Sequence, residues 1–483
     1  MKKILFAGAE VMPFAASGGL GDVLGSLPAA LKSAGGDEID VRVAMPLYSV
    51  IPEKFRAEMK TECIFEVRLA WRRLYCGVKS LTRDGVTYYF IDNEYYFKRN
   101  ALYGSMDDGE RFAYFSMAVV EMMRHIGFYP DILHAHDWSS ALTLVYLNRK
   151  YRAIPEYADI RTVFTIHNIE YQGNYDFSIL GDIFGLTEEE HSLMEYDGRI
   201  NLMKAAIECA DTVSTVSPRY AEEILTPQYS SGLQYILQQN TGKMCGILNG
   251  IDYIYNDPEN DPAIAKHYNH SRQAGKYANK LALQKELGLP ATKDVPMLAI
   301  ISRLASHKGL DLVTEIAEQV LQDDVQLVVL GTGEVRFEDF FRSLEAKYPE
   351  KMRALITYNR DLSKRIYAAC DIFLMPSKSE PCGLSQMIAS RYGAFPVTRE
   401  TGGLYDSIKG YWEEGKTIHG NGFTFAGYRS EELLDAIRRA EKVWFDAPRR
   451  RKLIAKIMKT DFSWQNSGAK YLEMYQKVLE IAK

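Results

Sequence analysis

Met297-Leu298-Ala299-Ile300-Ile301-Ser302, followed at once by Arg303-Leu304-Ala305-Ser306-His307-Lys308-Gly309, is the stretch on which the reading of the fold turns. A short apolar run that ends in cations and a glycine reads as a strand buried on both faces, opening into a loop at its carboxyl end. Similar runs follow at Val325–Leu330, Ala354–Tyr358, Asp371–Met375 and Ala394–Val397. An earlier series precedes it: Lys3–Ala7, Asp40–Met45, Asp131–His134, Thr162–His167, Asp211–Val216 and Met244–Leu248. Helix-period segments separate the runs, so the fold class is α/β, with two doubly wound domains. Within the first series, Ile64–Leu69, Tyr75–Leu81 and Val86–Asp92 predict an antiparallel insertion, with Asp84-Gly85 as a two-residue turn. The polar, proline-broken run 256–262 after Asn249-Gly250-Ile251-Asp252 predicts the interdomain connection. Trp464, Tyr471, Leu472, Tyr475, Val478 and Leu479 recur at helical spacing and predict a packing helix.

Length and composition bound the function. At 483 residues the chain has room for two large domains or about three ordinary ones. Hydrophobic residues make up 47% and charged residues 25%, which excludes a disordered or fibrous chain. The net charge of −5 gives no general attraction to nucleic acid or to an anionic membrane, so neither is expected as a partner. No run of about 18 apolar residues predicts a membrane span. Six cysteines (63, 76, 209, 245, 370 and 382) lack CxxC spacing, which fits a reducing, cytoplasmic setting.

Three loops carry the chemistry. Ser17-Gly18-Gly19-Leu20-Gly21-Asp22 follows the first strand and leads into a helical segment at Val23–Lys32. Such a turn lets backbone approach an anion at a helix N-terminus, although a tight turn without a ligand reads equally well. Arg303 and Lys308 lie five residues apart at a strand end, where they can converge on a diphosphate or simply face solvent. Pro376-Ser377-Lys378-Ser379-Glu380-Pro381-Cys382-Gly383-Leu384-Ser385 follows the strand at Asp371–Met375. There Glu380 can accept sugar hydroxyls, and the N–H groups of Leu384 and Ser385 can hold a phosphate. Glycine turns recur at Gly331-Thr332-Gly333 and Thr401-Gly402-Gly403. His134-Ala135-His136-Asp137 puts two imidazoles on one strand face, where hydrogen-bonded histidines are expected rather than a metal site. No Asp-X-Asp occurs, so any nucleotide diphosphate must be neutralised by cations and helix termini rather than by a metal ion.

The ordered set of motifs resembles the bacterial glycogen synthase and plant starch synthase family, nearly end to end. The resemblance rests on Gly18-Gly19-Leu20, Asp107-Asp108-Gly109-Glu110-Arg111-Phe112, His134-Ala135-His136-Asp137-Trp138, His167-Asn168, Tyr171-Gln172-Gly173, Asn249-Gly250-Ile251-Asp252, Ser302-Arg303-Leu304, Lys308-Gly309-Leu310, Glu380-Pro381-Cys382-Gly383-Leu384 and Thr401-Gly402-Gly403-Leu404. It implies a GT-B architecture, two Rossmann-like domains facing a central cleft. The domains would be 1–250 on the acceptor side and 251–461 for the nucleotide-sugar, with a helix at about 462–483 packing back on the first. It implies retaining transfer of glucose from ADP-glucose or UDP-glucose to the non-reducing end of an α-1,4-glucan, without a cofactor. By the same resemblance, Arg303 and Lys308 meet the donor's distal phosphate and Glu380 lies beside its sugar. Cys382, Gly383, Leu384 and Ser385 form the phosphate loop. Gly19 faces the pyrophosphate, Ser17 and Gly18 also bind the nucleotide-sugar, and Tyr358 stacks on the base. His167, Asp137 and Asn249 line the glucose and acceptor side. The family's Lys-X-Gly-Gly-Leu reads Ala16-Ser17-Gly18-Gly19-Leu20 here, so one expected cation is missing. Two other readings share these motifs: another GT-B nucleotide-sugar enzyme, and a non-catalytic α-glucan-binding homologue.

Overall fold

The computed structural model describes residues 1–481, and the chain forms two compact units. One comprises 1–250 together with the segment from Trp464 onward, and the other Ile251–Ser463. The last two positions of the helix expected to 483 lie outside the described residues, and its first two, Phe462 and Ser463, belong to the second unit.

The first unit is built on a nine-stranded sheet. In spatial order its strands are Met244–Gly246, Thr212–Thr215, Arg161–Ile166, Ile132–His136, Lys2–Ala7, Ile39–Pro46, Val86–Asp92, Arg72–Arg83 and Lys60–Leu69. The first seven run parallel and the last two join antiparallel. The expected three-stranded insertion is thus a hairpin, because Val86–Asp92 pairs parallel with Ile39–Pro46 and belongs to the main sheet. Asp84 and Gly85 make the turn before it with φ of 51° and 75°, the left-handed pair that a two-residue hairpin turn requires. The strand Ile132–His136 runs two residues further than its apolar pattern suggests, because both imidazoles are buried and hydrogen-bonded.

The helix Trp464–Glu480 completes this unit. It buries Tyr471, Tyr475 and Val478, and it packs against the helix Gly19–Gly35. Its Ser467 hydroxyl donates to the Leu248 carbonyl at 2.6 Å, and the Tyr475 hydroxyl meets His134 Nδ1 at 2.8 Å.

The second unit holds a six-stranded parallel sheet in the order Met352–Leu355, Gln326–Leu330, Met297–Ile301, Ile372–Met375, Phe395–Arg399, Phe423–Phe425. Counted along the chain this is 3-2-1-4-5-6, the order of doubly wound nucleotide-binding sheets. The strand expected at Ala354–Tyr358 lies earlier, at Met352–Leu355, because Arg353 folds its guanidinium onto the Leu287 and Gly288 carbonyls and tolerates burial. Tyr358 therefore sits in the loop after the strand. The polar run 256–262 forms no helix or strand, but it is anchored rather than loose. Asp257 pairs with Arg391 at 2.9 Å and Asp261 with Lys364 at 3.2 Å.

One buried ion pair fixes the amino ends of the two central strands here. Lys280 Nζ lies 2.7 Å from Asp371 Oδ2, with both side chains 1% exposed, and the same carboxylate accepts the Met297 N–H. Replacing one partner leaves a buried charge unmatched, at a cost of about 3–5 kcal/mol. Lys280→Met is expected to lower the unfolding free energy of this unit by that amount, read as a lower urea midpoint; a change below about 1 kcal/mol in an equilibrium urea titration would deny the pair its structural role.

Candidate active site

In each sheet the order reverses beside the first strand, so the chain leaves that strand and its neighbour across the reversal toward opposite faces, and a crevice opens at their carboxyl ends. That crevice is where open α/β sheets bind ligands. The sequence-predicted residues fall at these ends.

In the second unit Arg303 follows the first strand, and its exposed guanidinium has no protein partner among the described residues. Lys308 ends the same loop. Its Nζ lies 2.7 Å from Glu380 Oε2, which comes from the loop after the fourth strand. Glu380 is 6% exposed, and the Ser377 hydroxyl donates to the same carboxylate oxygen at 3.0 Å. The two loops touch because Gly309 holds φ at 71° and a side chain there would meet the Pro376 carbonyl at 2.0 Å. Gly402 plays the same part against the Glu380 carbonyl, again at 2.0 Å with φ 44°. Thus residues 72 positions apart form one charged cluster, held by backbone on two sides.

Cys382 is buried in this loop, while Gly383, Leu384 and Ser385 are partly exposed. The helix Ser385–Arg391 begins there, and its leading N–H groups at Leu384 and Ser385 have no protein acceptor among the described residues. Tyr358 is 77% exposed, with its hydroxyl accepting from Arg360 Nε at 2.9 Å, so one ring face is open for stacking.

The first unit repeats the pattern. Ser17, Gly18 and Gly19 follow its first strand, exposed at the start of the helix Gly19–Gly35. Glu10, which sequence reasoning passed over, organises this loop. Its carboxylate accepts the Ser17 hydroxyl at 2.9 Å, the Gly18 N–H at 3.0 Å and the Ser17 N–H. Two of the three amides are thereby engaged, which leaves Gly19 at the helix terminus as the outward-facing donor. The signal for Glu10 was a single acid directly after a buried strand.

Asp137 follows the strand Ile132–His136 with φ at 56°, and its Oδ1 accepts the His167 N–H at 2.7 Å. Burial pushes its carboxyl up to about 7, against the pull of the His167 and Asn168 amides. His167 follows the strand Arg161–Ile166 and is 9% exposed, and burial pushes its imidazole down to about 3, so it is neutral near pH 7. Its Nε2 lies 2.9 Å from His136 Nδ1. Asn249 follows Met244–Gly246 and is 5% exposed, with Oδ1 lacking a partner among the described residues. Ala16 is partly exposed, and no cation occupies its position.

The two units thus offer different chemistry. The second presents cations and amides suited to phosphates, with one buried carboxylate. The first presents neutral hydrogen-bonding groups suited to hydroxyls. The starch synthase catalytic domain family matches residues 3–239, and the family described as glycosyl transferases group 1 matches residues 284–460. A glycogen synthase of Desulforamulus reducens is 46% identical over 479 residues, covering 99% of each chain. One from Streptococcus agalactiae serotype III is 45% identical, over 99% of this chain and all of its own. Among solved structures, the catalytic domain of starch synthase IV from Arabidopsis thaliana, bound to ADP and acarbose, superposes with a TM-score of 0.90 at 34% identity over 99% of both chains. A sucrose-phosphate synthase from Thermosynechococcus elongatus shares the fold at TM-score 0.62 and 16% identity, over all of both chains. With two Rossmann-like units of the GT-B kind and near-complete coverage by these relatives, the chain belongs to the glycogen and starch synthase family of glycosyltransferases.

Proposed function

We propose that this protein transfers glucose from a nucleotide-diphosphate glucose, ADP-glucose or UDP-glucose, to the non-reducing 4-OH of an α-1,4-glucan, with retention of configuration. The observation that carries this reading is the Lys308–Glu380 pair at the strand-order reversal of the second sheet, with Arg303 exposed on the same loop as Lys308. Breaking the anomeric bond builds positive charge on the sugar and negative charge on the departing diphosphate. Arg303, Lys308 and the amides of Gly383, Leu384 and Ser385 meet the second charge where it develops. Before donor binds, Lys308 is matched by Glu380; an incoming phosphate supplies the competing anion and leaves Glu380 to orient sugar hydroxyls. The acceptor attacks on the face the diphosphate leaves, within a short-lived ion pair, and the leaving phosphate takes the acceptor's proton. Tyr358 stacks on the base, Asn249 Oδ1 accepts from a sugar hydroxyl, and Gly19 faces the pyrophosphate. Ala16 removes one cation from that side, so the second unit's pair carries more of the phosphate charge. Family relationship supports the donor and acceptor classes, and the ADP bound to the Arabidopsis relative supports ADP-glucose. A cytoplasmic location goes with six unbridged cysteines.

The direct test incubates the protein with glycogen and either donor, without added metal and with a chelator present, and measures nucleotide released. Turnover with one donor is expected. Glucan binding with no release from either would favour a non-catalytic homologue, and release only with a free monosaccharide acceptor would favour another GT-B enzyme.

Lys308→Ala is expected to lower kcat by about 10²–10³, the scale of losing one charge-stabilising group, while a near wild-type rate would remove it from the mechanism. Arg303→Lys replaces a planar fork by a point charge and should also impair turnover; full activity would argue against a forked phosphate contact. If the neutral and ionised forms of Asp137 differ in activity, the rate profile should bend near pH 7 and Asp137→Asn should straighten it. Its raised value also means that Asp137 favours folding most below about pH 4 and that this contribution declines as pH rises toward 7.

A further inference from the structure

The first unit holds a second buried imidazole that the proposed reaction leaves unused. His136 ends its strand, pairs in register with Thr165 of the neighbouring strand, and is completely buried. Its ring sits between Phe6, at a centroid distance of 5.5 Å, and His134, at 4.1 Å. His134 is itself fixed by the Tyr475 hydroxyl at 2.8 Å and by Thr165 Oγ1 at 2.6 Å. The His136 ring therefore has little freedom to turn. Its Nδ1 faces His167 Nε2 at 2.9 Å, while its Nε2 is buried with no partner among the described residues.

Desolvation holds both rings of the pair in the neutral form near pH 7. One proton then lies between them, and it has two possible owners. If His167 owned it, the other proton of His136 would sit on Nε2, an N–H with no acceptor in a dry interior. If His136 owns it, only a lone pair goes unmatched there. Orphaned buried N–H groups are the rarer of the two in folded proteins. His167 Nδ1 then carries that ring's own proton, and it has no protein partner among the described residues.

We propose that His136 is a positioning residue: it donates Nδ1–H to His167 Nε2, and so fixes His167 as the tautomer that presents Nδ1–H to a ligand oxygen. His167 is thereby a hydrogen-bond donor to the sugar and is barred from acting as a base. This last clause rests on the reading of His167 as a substrate-side residue; the tautomer itself does not. The Asp137 carboxylate on the His167 amide fixes the backbone under the same ring.

The test uses the full-length protein labelled with ¹⁵N-histidine. Long-range ¹⁵N correlation spectra, assigned by the signal lost in His167→Gln, are expected to show His167 protonated at Nδ1 and bare at Nε2. A proton on His167 Nε2 would overturn the proposal, and this readout needs no variant of His136. In steady-state assays His136→Leu should lower kcat about 10–100-fold, the scale of losing an outer hydrogen bond that orients a ligand-bearing imidazole, with the KM for glucan little changed. His136→Asn keeps an amide donor near the Nδ1 position and should recover most of the loss. Equal losses in the two variants, both folded by circular dichroism, would reduce His136 to a packing role. Full activity in His167→Ala would remove the substrate-side clause while leaving the tautomer assignment to the spectra.

Discussion

The reversal of strand order beside the first strand of each sheet is the constraint on which everything else depends. Parallel strands must be joined by crossovers, and where successive crossovers change direction a crevice opens at the carboxyl ends. The reversal lies between Lys2–Ala7 and Ile132–His136 in one sheet and between Met297–Ile301 and Ile372–Met375 in the other. In the second unit this brings a loop ending in Lys308 against one containing Glu380. In the first it sets the Glu10-held glycine turn and the His136-Asp137 strand end on adjacent strands. The chemistry of each unit follows from what these loops carry.

Charge separates the two halves. The second unit balances Lys308 with a nearly buried carboxylate, so a bare cation is not left waiting in a partly desolvated place. At the same strand ends the first unit presents groups that burial keeps neutral, His167 and, below about pH 7, Asp137. With Ala16 in place of a lysine, its glycine turn adds only amide dipoles. The cations at the strand ends are thus concentrated in one unit, and the neutral hydrogen-bonding groups in the other.

Much of this was legible in the sequence because parallel strands buried on both faces show as unbroken apolar runs. Lys2–Ala7 and Gln326–Leu330 are of this kind. The runs that misled are those where polar side chains are buried with partners. Ile132–His136 hides its end behind two hydrogen-bonded imidazoles, and Met352–Leu355 starts beside an arginine tied to distant carbonyls. The strand Phe423–Phe425 has only three residues and gives almost no periodic signal. At the site, Arg303, Lys308 and Glu380 stood out as residue types at strand ends. That Lys308 and Glu380 touch, that Glu10 organises the glycine turn, and that His136 meets His167 depend on contacts between distant or non-adjacent positions, which no local pattern encodes.

The helix Trp464–Glu480 gives the molecule an order of assembly. It supplies Tyr471, Tyr475 and Val478 to a core whose other members lie before residue 251, yet it is synthesised after the whole of Ile251–Ser463. On the ribosome, the segment made first is therefore the one finished last. Until the helix emerges, His134 lacks its tyrosine and the helix Gly19–Gly35 lacks its cover. The intervening unit's core cluster runs from Ile264 to Met458, all of it made before then.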